Sequence, residues 1–254
     1  MFNKFFILIF CFYLSSVDLS AQEENGMTVV GKQEGSTLNV LYRNDAVGRI
    51  YASTRGFGFL YRRGKHITGK TRSFYEIDLQ GLKHPKEVKV VGTAENRKRY
   101  VYGKLNSVYL LRGDFGMQNV IFSKADYKAI EVRCSYALGP VVALAKPYYY
   151  QLPNYDPDQQ PEEVRFNSES FTQDSVVGKG RFSSGLAETG FYPGINGKFN
   201  LSFEYATYTN LIRAIETGIS VDYFPKALPI MARNSTENLI ITLHVGFVFG
   251  KKWY

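Results

Sequence analysis

A strict two-residue alternation in residues 238–254 constrains the fold of this chain more than any other feature. One row of alternate positions is entirely apolar: Leu239, Ile241, Leu243, Val245, Phe247 and Phe249. The other row is small and mixed: Ile240, Thr242, His244, Gly246 and Val248. Because successive side chains of a strand point to opposite faces, this segment is predicted to be a strand between two different environments.

The same alternation recurs from residue 47 onward, and this repetition favours a membrane barrel over the alternative, an edge strand of a soluble sheet. The mean hydropathy of -0.21 does not oppose a membrane location, because barrel strands distribute their apolar residues by alternation. Aromatic residues make up 15% of the chain, which fits girdles at the membrane borders. A last strand that ends in Trp253 and Tyr254 is typical of bacterial outer-membrane barrels and of the signal that their insertion machinery recognises.

The fold prediction is all-β: an antiparallel transmembrane β-barrel of about eight strands that follows a cleaved signal peptide. The predicted strands are 47–61, 73–82, 106–120, 129–138, 141–150, 198–208, 211–224 and 238–254. Their number is even, as single-chain bacterial barrels require. With both chain ends in the periplasm, the external connections are 62–72, 121–128, 151–197 and 225–237, and the periplasmic ones are 83–105, 139–140 and 209–210. The length of 83–105 is an exception among periplasmic turns and leaves open a further strand pair.

The N-terminus has the features of a secretory signal peptide. Lys4 supplies a positive charge, residues 5–14 are apolar, and small residues precede the cleavage site expected after Ala21. The predicted organisation is a signal peptide at 1–21, a periplasmic lead-in at 22–46 and a barrel at 47–254, with a long external loop at 151–197. Cleavage would remove Cys11 and leave Cys134 as the single cysteine, so no intramolecular disulfide is expected.

The inward rows of the predicted strands carry charges of both signs. They are Glu76, Asp78, Arg112, Asp114, Glu131, Arg133, Glu204, Glu216 and Asp222. The interior of an eight-stranded barrel is just wide enough for side chains to fill it, and an unpaired charge there costs several kcal/mol. We therefore predict a salt-bridged interior that holds the barrel shut. The alternative is a narrow ion path or gate.

A basic turn is predicted at residues 62–66, after the first strand. Because Arg and Lys suit phosphate groups, Arg62, Arg63 and Lys65 are candidate contacts for lipopolysaccharide phosphates at the outer rim. The alternative is charge that only keeps the end of a strand soluble. The formal net charge is +8, but the predicted location excludes nucleic acid as a partner.

No sequence motif indicates catalysis, a metal or a cofactor. The three histidines, His66, His84 and His244, lack the spacing of a metal site, and neither a P-loop nor a G-x-S-x-G motif is present. His244 with Ser220 and Glu216 permits a hydrolase-like arrangement, as in barrel enzymes that modify lipids. The alternative is a hydrogen-bonded interior histidine, and we predict no catalytic residue.

Six short stretches carry a further signal. They are GFGFLYRRGKHITG at 56–69, LKHPKEVK at 82–89, YVYGKLNSVYLLR at 100–112, NVIFSKAD at 119–126, GPVVALAKPYY at 139–149 and LPIMA at 228–232. Together they resemble a family of uncharacterised outer-membrane barrel proteins of Bacteroidota, over most of the mature chain. The resemblance implies a barrel in the outer membrane and implies no activity.

These observations predict a non-enzymatic outer-membrane barrel, a structural or accessory component of the bacterial envelope, with a secretion or surface-assembly system as one setting. The alternatives are a barrel enzyme that modifies lipid or lipopolysaccharide and a narrow channel. The expected partners are outer-membrane lipid and lipopolysaccharide, the barrel-assembly machinery during insertion, and other envelope proteins.

Overall fold

The computed structural model describes residues 43–91, 99–123, 129–152, 162–166, 176–205, 211–232 and 237–253. The predicted signal peptide and the lead-in up to residue 42 lie outside these ranges. The described strands are β1 (Asn44–Ser53), β2 (Gly56–His66), β3 (Thr71–Leu82), β4 (Lys89–Val91), β5 (Arg99–Val101), β6 (Asn106–Phe122), β7 (Glu131–Pro147), β8 (Tyr149–Leu152), β9 (Glu162–Arg165), β10 (Gly178–Lys179), β11 (Gly190–Glu204), β12 (Leu211–Leu228) and β13 (Glu237–Trp253). Among the described residues, no helix has the length and apolar character needed to cross a membrane.

Eight of these strands close into an antiparallel barrel in the order β1-β13-β12-β11-β7-β6-β3-β2. The first strand pairs along its whole length with the second part of the last strand, from Asn44 opposite Trp253 to Ser53 opposite His244. Closure gives every barrel strand two neighbours and leaves no open edge. The predicted eight-stranded antiparallel barrel is confirmed.

The outward rows form an apolar belt around the barrel. Along β13, Leu243 is 52% exposed and Phe247 is 65% exposed, whereas Thr242 and His244 point inward and are buried. Comparable exposed rows lie on the other barrel strands, among them Ile77 on β3. A continuous apolar band of this kind is the surface that a bilayer covers on a transmembrane barrel.

The strand predicted at 47–61 is in fact two strands, so that prediction was wrong. β1 begins earlier, at Asn44, and the chain reverses between Ser53 and Gly56. Gly56 has φ +143, which L side chains rarely adopt, and a Cβ there would meet the backbone oxygen of Gly81. The reversal depends on a glycine inside an apparently continuous apolar alternation, and the sequence offers no Asn-Gly or Asp-Gly pair to mark it.

The strands predicted at 129–138 and 141–150 are in fact one strand, β7. Its pairing with β11 continues without a break, with Pro140 opposite Ile195, whereas the ladder to β6 skips residues 139 and 140. Proline has no amide hydrogen, so it is tolerated where a ladder is interrupted. A Cβ on Gly139 would collide with the backbone of β6 at Gly113. The pair Gly139-Pro140 therefore permits a close approach of two strands, and the predicted turn was wrong.

These two errors cancel in the strand count but change the side on which several connections lie. The start of β1 and the end of β13 share one end of the barrel, here called the terminal end, with connections 67–70, 123–130 and 205–210. The opposite end, here called the loop end, has connections 54–55, 83–105, 148–189 and 229–236. Segments 62–72 and 121–128 were thus assigned to the wrong end, and so was 83–105. The corrected topology puts both long connections at one end and removes the anomaly of a long periplasmic turn.

The two long connections at the loop end build a small cap. β4 pairs with β5, and β8 pairs with both β9 and β10. Tyr100, Tyr148, Tyr150 and Val176 form the buried core of the cap. The Tyr150 hydroxyl donates to the carbonyl of Val101 at 2.7 Å and accepts from the amide of Lys104 at 2.8 Å. The predicted external loop 151–197 therefore includes cap strands, and from Gly190 onward it is barrel wall.

Candidate functional site: the charged interior

The structure places the nine predicted interior charges on inward rows of the barrel. Eight of them are at most 5% exposed, and Glu131 is partly buried near the terminal end. The prediction missed several interior charges, notably Arg49, Arg62 and Lys198, which are at most 5% exposed. Lys198 was recognisable in principle, because it shares an inward row with Asn200 and Ser202. Arg49 and Arg62 were hidden by the misassigned first strand.

Two arginines on β1 and β2 share one carboxylate in the middle of the barrel. The guanidinium of Arg62 contacts Glu76 at 2.8 Å and Glu216 at 3.0 Å. Arg49 also pairs with Glu216. Since Glu216 lies on β12 and Glu76 on β3, the side chain of Arg62 links strands across the lumen.

Lys198 on β11 completes this central network from the other wall. Its ammonium group lies 3.0 Å from Glu76, 2.7 Å from Asp78 and 2.8 Å from Asp114. Three carboxylates thus converge on one buried cation. This arrangement joins β11 to β3 and β6, which are not its sheet neighbours.

Arg112 on β6 links two further carboxylates, Asp222 and Asp78. Its Nε and one terminal nitrogen donate to the two oxygens of Asp222 at 2.8 and 2.7 Å, a bidentate contact. A second terminal nitrogen lies 3.1 Å from Asp78, which also accepts from the Tyr51 hydroxyl at 2.7 Å. A bidentate charge-assisted pair is both strong and geometrically specific. The contact with Asp222 therefore fixes the orientation of the Arg112 guanidinium in the interior.

The remaining predicted charges form a second group at the terminal end. Arg133 lies 2.5 Å from Glu131 and 2.9 Å from Glu204, and Lys252 lies 3.0 Å from Glu204. A separate pair joins Asp45 and Arg72 at 2.8 Å. The nine predicted positions therefore divide into two networks at different depths of the barrel.

An apolar layer fills the interior on the loop-end side of the central network. Along the inward rows, Asp222 is followed by Phe224, and Arg112 is preceded by Leu110; both apolar side chains are 0% exposed. The full layer comprises Leu82, Val108, Leu110, Val141, Ala143, Ala145, Phe224, Leu228, Ile230 and Ile240. The interior is thus charged in its middle and apolar beneath the cap.

The three candidate phosphate contacts do not share one surface. Residues 62–66 belong to β2, not to a turn, and Arg62 is 1% exposed inside the barrel. Arg63 and Lys65 point outward near the terminal end, where the guanidinium of Arg63 lies 5.7 Å from the ring of Trp253. The physical reason is again the early reversal at Gly56, which turns this basic segment into barrel wall.

His244 is bound into the interior and is not part of a hydrolase-like arrangement. Its Nε2 lies 2.7 Å from Oδ1 of Asn200 and 3.4 Å from Arg49. Glu216 is paired with Arg49 and Arg62, and neither of the two hydrogen-bond partners described for the His244 ring is Ser220. Among the residues that can be described, no group of three His, Cys, Asp or Glu side chains is placed to hold a metal ion.

No protein-family model and no curated protein matches this chain. Among solved structures, the chain is similar to Neisserial surface protein A, with 11% identity, TM-score 0.45, and coverage of 84% of this chain and 97% of that one. It is also similar to Ail, the attachment invasion locus protein of Yersinia pestis, with 8% identity, TM-score 0.41, and coverage of 84% and 100%. A third similar structure is the N-terminal β-barrel domain of Pseudomonas aeruginosa OprF, with 9% identity, TM-score 0.34, and coverage of 82% of this chain and 100% of that one. At these values, none of the three carries an argument about activity or ligand.

Proposed function

We propose that this protein is a non-enzymatic resident of the bacterial outer membrane, in which a closed barrel anchors a folded cap at the cell surface. The observation that carries the proposal is the filled interior: a cross-lumen ion-pair network beneath an apolar layer. Such an interior gives the barrel stability and leaves the cap as the part available to partners. The protein would then be a structural or accessory component of the envelope.

The apolar belt and the connection lengths support the location. Outer-membrane barrels have short periplasmic turns and longer extracellular loops. Here the terminal end has only the shorter connections, and both long ones lie at the loop end. The terminal end is accordingly periplasmic and the cap external. The predicted signal peptide and the sequence resemblance to Bacteroidota barrel proteins support the same location.

Outer-membrane lipid and lipopolysaccharide are the neighbours expected for the belt, and the barrel-assembly machinery is the partner expected during insertion. Other envelope proteins would meet the cap. A cross-linked pull-down from native outer membranes tests this part. Recovery of no protein cross-linked through cap residues would argue for a purely structural role.

Planar-bilayer recording tests the closed interior. Oppositely charged groups 2.7–3.1 Å apart fill the middle of the lumen, so we expect no large ohmic steps. Large and stable steps from the purified barrel would refute the proposal and favour the channel alternative.

Labelling of intact cells tests the orientation. Cysteine is introduced at exposed Glu162 in the cap or at exposed Lys65 near the terminal end, each in a Cys134→Ser background. A membrane-impermeant maleimide should label the Glu162→Cys protein on intact cells and the Lys65→Cys protein only after lysis. The reverse pattern would invert the barrel, and recovery of the protein in the soluble periplasm would exclude the membrane location.

A further inference from the structure

Residues 180–189 at the loop end, here called the rim segment, expose apolar side chains outside the barrel belt. Phe182 is 59% exposed and Leu186 is 52% exposed. The segment leads directly into β11, where Phe191 is 71% exposed on the outward row. Exposed apolar side chains that adjoin the apolar belt indicate that the rim segment is an interaction site.

The rim segment has a defined backbone. Successive turn hydrogen bonds run from the amide of Ser184 to the carbonyl of Arg181 at 3.3 Å, from Leu186 to Ser183 at 3.3 Å and from Glu188 to Gly185 at 3.2 Å. The amide of Arg181 donates to a carboxylate oxygen of Glu163 in the cap at 2.8 Å. The exposed apolar side chains therefore project from a hydrogen-bonded turn structure.

The rim segment covers the outer wall of the barrel just above the belt. Lys146 occupies an outward position of β7, two residues beyond Leu144, which pairs with Phe191. It is nevertheless 6% exposed. Its ammonium group donates to the carbonyl of Phe182 and lies 4.1 Å from the centroid of that ring. Phe182 thus continues the row that Leu144 and Phe191 begin.

We propose that the rim segment binds lipid of the outer leaflet, with Phe182 and Leu186 seated at the boundary between headgroups and acyl chains. Two features support a lipid surface as the occupant: continuity with the belt, and the cations Lys179 and Arg181 that precede Phe182 along the chain. Apolar side chains beside Lys and Arg are the composition expected at this depth, where the cations meet lipid phosphates. The inference rests on the proposed outer-membrane location, because it needs a bilayer around the belt.

Tryptophan probes in brominated lipid test this inference. In a Trp253→Phe background, single tryptophans replace Leu186 in the rim segment, Leu243 in the belt or Glu162 in the cap. Glu162 is an exposed control in the cap. It lies on β9 opposite Leu152, which is about 10 Å along β8 from Tyr149. Each full-length variant is refolded into phosphatidylcholine vesicles and checked by heat-modifiable gel mobility.

Lipid brominated close to the headgroup should quench the Leu186→Trp probe at least twofold more strongly than lipid brominated near the chain end. The Leu243→Trp probe should show the opposite preference, and the Glu162→Trp probe should be quenched by neither. If Leu186→Trp behaves like Glu162→Trp while Leu243→Trp is quenched, the rim inference fails and the membrane location stands. If Leu243→Trp is not quenched either, the location itself fails.

Discussion

Replacing Lys198 by methionine is the sharpest test of the interior network. The central network contains four cations, Arg49, Arg62, Arg112 and Lys198, and five carboxylates, Glu76, Asp78, Asp114, Glu216 and Asp222. The substitution changes this balance from four against five to three against five. Glu76 and Asp78 keep arginine partners, whereas Asp114 loses the ion pair that the structure shows for it. Breaking one side of a buried ion pair costs about 3–5 kcal/mol, and we expect a loss of that size.

The double variant Lys198→Met, Asp114→Asn is the matched control. It removes one carboxylate together with the cation, so the network returns to an excess of one negative charge. We expect it to recover at least half of the lost free energy of unfolding, as coupled neighbouring sites do. Lys251→Met, on the exposed row of β13, should change stability by no more than about 0.5 kcal/mol.

Urea titration of the barrel refolded in lipid vesicles measures these differences. Heat-modifiable gel mobility reports the folded fraction, and fluorescence of Trp253 provides a second probe. A free energy of unfolding for Lys198→Met within about 1 kcal/mol of that of the original chain, the average effect of an arbitrary substitution, would contradict this prediction. So would a double variant that is less stable than the single one.

Three further perturbations address the belt, the first turn and the cap. Leu243→Arg puts a charge on the lipid face and should cost about 2–4 kcal/mol near the midplane; an unchanged urea midpoint in vesicles would place this row away from lipid. Gly56→Ala should lower the free energy of unfolding by about 1–3 kcal/mol because Gly56 has a positive φ. Gly69→Ala should leave it nearly unchanged, because an added Cβ at Gly69 meets open space. Equal free energies of unfolding for the two variants would contradict this prediction. Burial raises the pKa of the Tyr150 phenol, which keeps its hydroxyl a donor at alkaline pH. Tyr150→Phe leaves buried backbone groups unpaired at about 1–3 kcal/mol, so limited proteolysis should cleave the cap faster while barrel mobility on gels is unchanged; protection equal to that of the original cap would contradict it.

Strand identity was most predictable where one row of alternate positions was apolar without a break, as from Leu239 to Phe249. The last strand was predicted at 238–254, and the structure places β13 at Glu237–Trp253. The first half of the barrel was less predictable, because two glycines have roles there that depend on their backbone conformation or on a close approach between strands. Gly56 reverses the chain inside an apolar alternation, and Gly139 lets β7 pass close to β6 where a turn was expected. Neither role is visible without the neighbouring strand.

The sequence predicted which residue types face the interior, but it did not predict how those residues are arranged there. Period-2 alternation placed Glu76, Asp78 and Arg112 on inward rows correctly, since the face of a strand residue depends only on its position along the strand. The same reasoning put Arg62 in a turn, because the predicted strand 47–61 ran across the actual reversal at 54–55 and ended before Arg62. The apolar layer beneath the cap was not anticipated at all, since its members come from several strands and look locally like any other inward residues.

The sequence was sufficient to predict an apolar outward row and a mixed inward row on the barrel strands, because a two-residue period is a local property. The end that each connection occupies and the pairing of the charges depend on the assembled barrel. Arg49 and Glu216 are 167 residues apart along the chain, and Lys198 and Glu76 are 122 apart. Their contact depends on strand order and register around the whole barrel, and a shift of one residue in any strand would turn these side chains from the lumen to the lipid.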